Sequence, residues 1–267
     1  MRPDEFEERM RALEVFHALR LLPGAWIILR LDGRSFSRFT ETRFEKPFDS
    51  RFHDGMVQTA QAVLEDFQGL YAYTESDEIS VLFPRAWDLF DRELEKVISL
   101  SASTASAALS LTFGTRIQFD SRAILAAEDE QVVDYFRWRQ ADASRCALNG
   151  WTYWTLRKAG RGVAQATAAL EGKSVADKNE MLFQAGINFN ELPLWQRRGT
   201  GLYWEQYERE GYNPKLNQKV FTTRRRIKVD PELPMGEEYA NFLRRLMRAC
   251  ASSTTTAMAL PQERGET

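Results

Sequence analysis

Between Trp26 and Leu125 the chain runs strand, helix, strand, strand, helix, strand, and few folds accept that order. Trp26-Ile27-Ile28-Leu29-Arg30-Leu31 is a short apolar, β-branched run that reads as a buried strand. A helix is expected from about Asp49 to Phe67, where Gly69 follows. Leu70–Thr74 and Ile79–Phe83 read as strands joined by a tight turn at Glu75-Ser76-Asp77-Glu78. Pro84 ends the second of them. The next helix is expected from about Asp88 to Leu109, with Leu94, Val97, Ile98 and Ser101 on its buried side. Arg116–Leu125 supplies the last strand. This is an α+β pattern, the split βαβ or ferredoxin-like (βαββαβ) arrangement, with an antiparallel sheet whose first and third strands lie side by side at the centre.

Around that core the pattern is mostly helical. The start of the chain to about Leu22 has an apolar stripe of Phe6, Met10, Leu13, Phe16 and Leu21, stopped by Pro23-Gly24. A helix is expected from Asp129 to about Lys158, then two shorter helices after Gly160 and Gly162. A Trp/Tyr-rich hairpin is expected around Leu194–Tyr203, and a disordered tail from Ala249. The 267 residues allow a substantial core, and the sequence has no apolar run near the roughly 20 residues that span a bilayer. The opening MRPDEFEERMRALE lacks the layout of a signal peptide, and two distant cysteines, Cys146 and Cys250, make no disulfide framework. A cytoplasmic protein is therefore expected. Two histidines, His17 and His53, give little support to a His-rich metal site or a Ser-His-Asp triad. The net charge of −2 opposes a generally basic surface, although Arg224, Arg225 and Arg226 form a local cluster suited to a phosphate backbone.

Chemistry is expected where the central strands end. Asp32 follows an apolar strand, and Asp77 sits in the turn before the third strand, so the topology can bring the two carboxylates together. Two carboxylates held close repel unless a cation lies between them, and Mg2+ favours such oxygen ligands. A pair of such ions about 4 Å apart can activate an attacking hydroxyl and stabilise a departing phosphate oxygen. Gly33, Arg34, Ser35, Phe36 and Ser37 offer backbone amides and hydroxyls beside Asp32 as a phosphate cradle. Lys46 in the adjoining loop, and Arg92 and Lys96 on one helix face, are cations within the same sequence region; Ser76 neighbours Asp77.

The segments RLDGRSF (30–36), FEKPFD (44–49), ESDEIS (75–80), FDSR (119–122), WRQAD (138–142), ADKNEMLF (176–183) and INFN (187–190) occur in an order that resembles the tRNA(His) guanylyltransferase family. The resemblance covers roughly Phe6 to Lys228. It implies a polymerase/cyclase-type palm with C-terminal helical and hairpin additions: a palm core with the N-terminal helix over 1–128, an extension packed on it over 129–248, and the tail over 249–267. It also implies a homotetramer and two Mg2+ held by Asp32, Asp77 and the Gly33 carbonyl. The implied nucleotide site comprises Asp32, Gly33, Arg34, Ser35, Phe36, Ser37, Lys46, Ser76, Asp77, Arg92 and Lys96; a tRNA backbone is expected at Arg224–Arg226, since consecutive arginines on an extended segment suit phosphate tracking. The implied reaction activates a tRNA 5′-phosphate with ATP or GTP and extends it in the 3′-5′ direction. Ser144-Arg145-Cys146-Ala147 stand where eukaryotic members carry a His-Ile-Asn-Asn-type stretch, a departure that resembles the "like" branch, which repairs 5′-truncated tRNA. In the WRQAD, ADKNE and INFN segments, Trp138, Phe183 and Ile187 are expected in the core. Two other readings stay open: a palm-fold nucleotide cyclase or dinucleotide synthase, and a non-catalytic ferredoxin-like RNA-binding module.

Overall fold

The structure is a computed structural model and describes residues 2–213 and 217–258. In chain order its elements are α1 (Pro3–Arg11), β1 (Trp26–Gly33), α2 (Phe36–Glu41), α3 (Ser50–Asp66), β2 (Tyr71–Glu75), β3 (Glu78–Phe83), α4 (Leu94–Phe113) and β4 (Phe119–Ala126). They continue as α5 (Asp129–Lys158), α6 (Val163–Leu170), α7 (Val175–Gln184), α8 (Leu194–Arg198), β5 (Thr200–Asn213), β6 (Gln218–Asp230) and α9 (Gly236–Met258). The strands form one antiparallel sheet in the order β4-β1-β3-β2-β5-β6, so the first four have the ferredoxin-like order and a long hairpin extends it past β2.

Apolar runs rather than alternation mark the central strands because helices cover both faces. On one face Ile27, Leu29, Leu31, Ile79 and Val81 pack with Met56, Ala60 and Val63 of α3 and Val97, Ala105 and Leu109 of α4. The i, i+3, i+4 spacing on α3 and the i, i+4 spacing on α4 place these residues on one stripe of each helix. On the other face Trp26, Ile28, Tyr71, Tyr73 and Leu82 pack with Val132, Val133 and Phe136 of α5 and Tyr239, Ala240 and Leu243 of α9. Asp49 caps α3, accepting from the Arg51 amide at 2.8 Å and the Glu45 amide at 2.9 Å. At 30 residues, α5 is about 45 Å long and overruns the sheet.

Several expectations are corrected. The first helix stops at Arg11 instead of reaching Leu22, and Phe6, Met10, Leu13 and Phe16 are exposed; with none of its residues buried, so short a helix has no packing to prolong it. The helix expected from Asp88 begins at Leu94, because Phe90, Asp91 and Arg92 adopt left-handed backbone angles that a helix cannot include. Leu194–Arg198 is a short helix, and the hairpin lies beyond it, over Thr200–Asp230. The tail placed in disorder from Ala249 is helical as far as Met258; 259–267 lie outside the described residues. Among the described residues no helix is long and apolar enough to cross a membrane.

Candidate active site

Asp32 lies near the end of β1, directly opposite Glu78 of β3 on one side and Asp120 of β4 on the other. The Gly33 amide donates to the Asp77 carbonyl at 3.1 Å, which ties the end of β1 to the β2–β3 turn. Gly33 is required there for a different reason from the turn freedom expected of it. Its backbone angles are ordinary, but a Cβ would lie 2.2 Å from the Phe36 ring. The turn itself is made by Ser76, held at φ 50°, and α2 opens on Ser35 at φ 61°. Non-glycine residues in that region are uncommon and cluster where function fixes the backbone.

Asp32 and Asp77 differ from Glu78, Asp120 and Asp49 in being un-neutralised. Glu78 receives Arg139 Nε at 2.7 Å, Asp120 pairs with Arg122 at 3.0 Å, and Asp49 with Arg51 at 2.7 Å. Among the described residues, neither Asp32 nor Asp77 has a cationic side chain within 4 Å. Burial pushes the Asp77 carboxyl above the usual carboxylate range and the negative charge of Asp32 adds to this; its own amide, the Ser76 hydroxyl and Lys46 pull the other way. Burial likewise lowers Lys46, whose ammonium donates to the Thr40 hydroxyl at 2.6 Å and feels the charges of Glu41 and Asp77. Two adjacent carboxylates without counter-ions, beside backbone carbonyls, form a donor set suited to a hard divalent cation. At the other end of the sheet His17, Glu93 and Glu95 converge, but Glu93 is already neutralised by Arg20 and Lys96 at 3.3 and 2.9 Å.

Beside Asp77 opens a cavity of about 340 Å³. Ser37, Thr40, Lys46, Ser76 and Asp77 give it a polar end; Phe44, Phe48, Phe52, Tyr153, Trp154 and Trp195 give it an aromatic one. The overrun of α5 supplies Tyr153 and Trp154, and His53 stacks on Trp195 with ring centres 4.2 Å apart. Of the expected cradle, the Gly33 and Arg34 amides are already used, the latter on the Gln118 carbonyl at 2.8 Å, which leaves Ser35, Phe36 and Ser37 at the start of α2. The Phe36 side chain is buried among Phe39, Phe52 and Phe119.

Other expected site residues lie elsewhere. The Arg92 guanidinium is buried and donates to the Leu22 and Arg85 carbonyls at 2.6 and 2.5 Å, and Lys96 pairs with Glu93. Both sit beside the segment that leads into β1, because the Leu21 amide bonds to the Arg92 carbonyl and the Leu94 amide to the Leu19 carbonyl. An eight-residue strand therefore separates them from Asp32, about 25 Å, and they are not part of the site formed by one chain. Arg224, Arg225 and Arg226 lie on β6, where successive side chains alternate between faces, so the three do not form one row. Arg225 stacks on Trp204 at 4.5 Å on one face; Arg226 stacks on Tyr207 and pairs with Glu205 on the other. The row on that second face is Arg224, Arg226 and Lys228.

Sequence reasoning missed a buried ionic group beside the carboxylates. Arg139 bonds Glu78 and lies 3.4 Å from Asp142, which also holds Arg145; Arg30 is 3.9 Å from Glu78. Burial, reinforced by the charge of Glu78, pushes the Glu75 carboxyl up to about 8 although Arg139 opposes it. The expected core residues of WRQAD are inverted: Arg139 and Gln140 are buried while Trp138 is 54% exposed, and Phe183 is exposed as well. The i, i+3 spacing of Arg139 and Asp142 was the one available signal, since it places both on the helix face turned to the sheet.

A ferredoxin-like sheet with two un-neutralised carboxylates at its central strand ends, beside a nucleotide-sized cavity with a cation and hydroxyls, defines a palm of the nucleotidyl-transfer type. The chain belongs to the tRNA(His) guanylyltransferase family, the 3′-5′ nucleotidyltransferases. Residues 7–136 match the family model "Thg1: tRNAHis guanylyltransferase", and 130–234 match "Thg1 C terminal domain". The mouse "Probable tRNA(His) guanylyltransferase" is 36% identical over 200 residues, 70% of this chain and 67% of the mouse protein. The Neurospora crassa "tRNA(His) guanylyltransferase" is 35% identical over 198 residues, 68% of each chain. A solved bacterial tRNA(His) guanylyltransferase (Thg1)-like protein in complex with GTP superposes with a TM-score of 0.72 at 27% identity, over 91% of this chain and 99% of its own. A complex of a bacterial Thg1-like protein with ATP gives 0.72 at 28% identity, over 90% and 98%. These relatives favour the nucleotidyltransferase over the cyclase and the RNA-binding module.

Proposed function

We propose that this chain adds nucleotides to the 5′ end of a tRNA in the 3′-5′ direction, with Asp32 and Asp77 as its catalytic carboxylates. The observation that carries the reading is that pair, un-neutralised and joined through the Gly33 amide, with Asp77 opening onto the cavity that Lys46 also lines. Asp32, Asp77 and the Gly33 carbonyl would hold two Mg2+, which when bound supply a stabilised nucleophile and neutralise developing phosphate charge. The Ser35–Ser37 amides, Ser76 and Lys46 bind the triphosphate of ATP or GTP and orient its α-phosphorus. In the first step an oxygen of the tRNA 5′-monophosphate attacks that phosphorus and pyrophosphate leaves. In the second, the 3′-hydroxyl of an incoming nucleotide attacks the tRNA phosphorus, and the nucleoside monophosphate leaves. The chain's contribution is alignment of the attacking and leaving oxygens and exclusion of water by the aromatic wall.

Ser144–Ala147 favour the "like" branch and hence template-dependent repair of 5′-truncated tRNA; a cytoplasmic homotetramer completes the proposal. The test is to incubate the protein with Mg2+, labelled GTP and a tRNA lacking its first nucleotide. Label at the 5′ end is expected. Label in a cyclic product, or RNA binding without incorporation, refutes the reading.

A further inference from the structure

We infer that Trp138 is a stacking platform for the terminal base of the RNA 5′ end, with Arg30 and Arg122 beside it for the adjoining phosphates. The inference rests on the RNA-end reading above and adds where the second substrate sits.

An in-line displacement needs its two substrates on different sides of the reacting phosphorus. The cavity takes up one side of Asp77, and none of Trp138, Arg30 and Arg122 lines it. The side chains of Arg30 and Asp32 point to the same sheet face, being two residues apart on β1, and Glu78, Asp120 and Arg122 share that face through the cross-strand register. This is the face on which α5 lies. There the first third of α5 presents Trp138, a large aromatic that is exposed where its helix neighbours Arg139 and Gln140 are buried.

The exposed ring is also fixed. The Arg139 guanidinium lies 4.7 Å from its centre and Arg30 6.0 Å, while the Tyr135 ring meets it edge-on at 6.0 Å. Arg139 is held in turn by Glu78, and Tyr135 by the Ser80 hydroxyl at 2.8 Å. Each support is therefore anchored to β3, the strand that follows Asp77. Arg30 precedes Asp32 by two residues, about 7 Å along the strand, so a base on Trp138 sets its 5′-phosphate within reach of the carboxylates. Arg122 is half-exposed, and its partner Asp120 is more exposed still; so weak a surface pair leaves the guanidinium open to exchange Asp120 for a phosphate. Every base has a π-face, so stacking accepts any terminal nucleotide, as a repair enzyme requires.

The test compares Trp138→Phe, which keeps an aromatic face, with Trp138→Leu, which keeps apolar cover over Arg139 without one. The RNA is an acceptor-stem duplex with a 5′-monophosphate and 2-aminopurine as its first base. With the wild type, binding should quench the 2-aminopurine, and nucleotide addition should follow. Trp138→Leu should abolish the quench and raise KM for RNA about tenfold or more, the scale of one lost base stack, with KM for GTP unchanged. Trp138→Phe should recover most of both. Unchanged quench and RNA KM in Trp138→Leu, with the wild type active, overturn the platform alone. A wild type that binds GTP but never extends the RNA overturns the function it rests on, and the platform with it.

Discussion

Glu75 gives the most quantitative handle on the site. Its carboxyl is pushed up to about 8, first by burial and then by the charge of Glu78, with Asp77 and Asp142 adding to the effect and Arg139 opposing it. Below pH 4.5, its ordinary value, the folded and unfolded chains both hold the proton. Above it the unfolded chain ionises first while the folded chain retains its proton, so stability falls as pH rises and levels off beyond about 8. Each pH unit in that window costs about 1.36 kcal/mol, a ceiling of about 5 kcal/mol. Relaxation and water penetration reduce this to about 2–3 kcal/mol. Glu75→Gln keeps the shape and removes the ionisation. In melts with chelator, the variant should match the wild type near pH 5. At pH 8.5 it should melt about 4–12 °C higher, the shift such an energy gives a chain of this size. Parallel Tm curves across that range would refute the burial argument.

Gly33→Ala should lower stability by about 1–3 kcal/mol and the melting temperature with it, because its methyl group would collide with the Phe36 ring; an unchanged melting temperature would mean that Phe36 moves aside freely. On the hairpin, Arg224→Ala should reduce the slope of log K for tRNA against log salt by about 0.7–0.9. Arg225→Ala, stacked on Trp204 across the sheet, should leave that slope unchanged; equal effects would mean that RNA does not distinguish the faces.

The order of strands and helices was legible because each buried strand is a short apolar run and each covering helix keeps one apolar stripe. Asp32 stood out for the same reason, since no packing need explains an acid at the end of such a strand, and Asp77 stood out because the topology brings its turn to that end. Arg92 and Lys96 misled because nearness in sequence to β3 says nothing about which end of the sheet a crossover reaches, and the left-handed turn at Phe90–Arg92 starts α4 far from the site. Trp138 misled through composition, and Arg139 was passed over. An arginine is buried there because Glu78 and Asp142 neutralise it, and the aromatic is displaced outward. The hairpin was placed too early because the Trp/Tyr-rich stretch includes a short helix, ended by Gly199 at φ 72°.

The central claim is that Asp32 and Asp77 act as one cation-holding pair. Mn2+ titration of the protein with GTP, followed by electron paramagnetic resonance, tests it directly. Two bound ions are expected for the wild type, with at least one lost in both Asp32→Asn and Asp77→Asn while the melting temperature holds. Wild-type stoichiometry and affinity in either variant would contradict the claim.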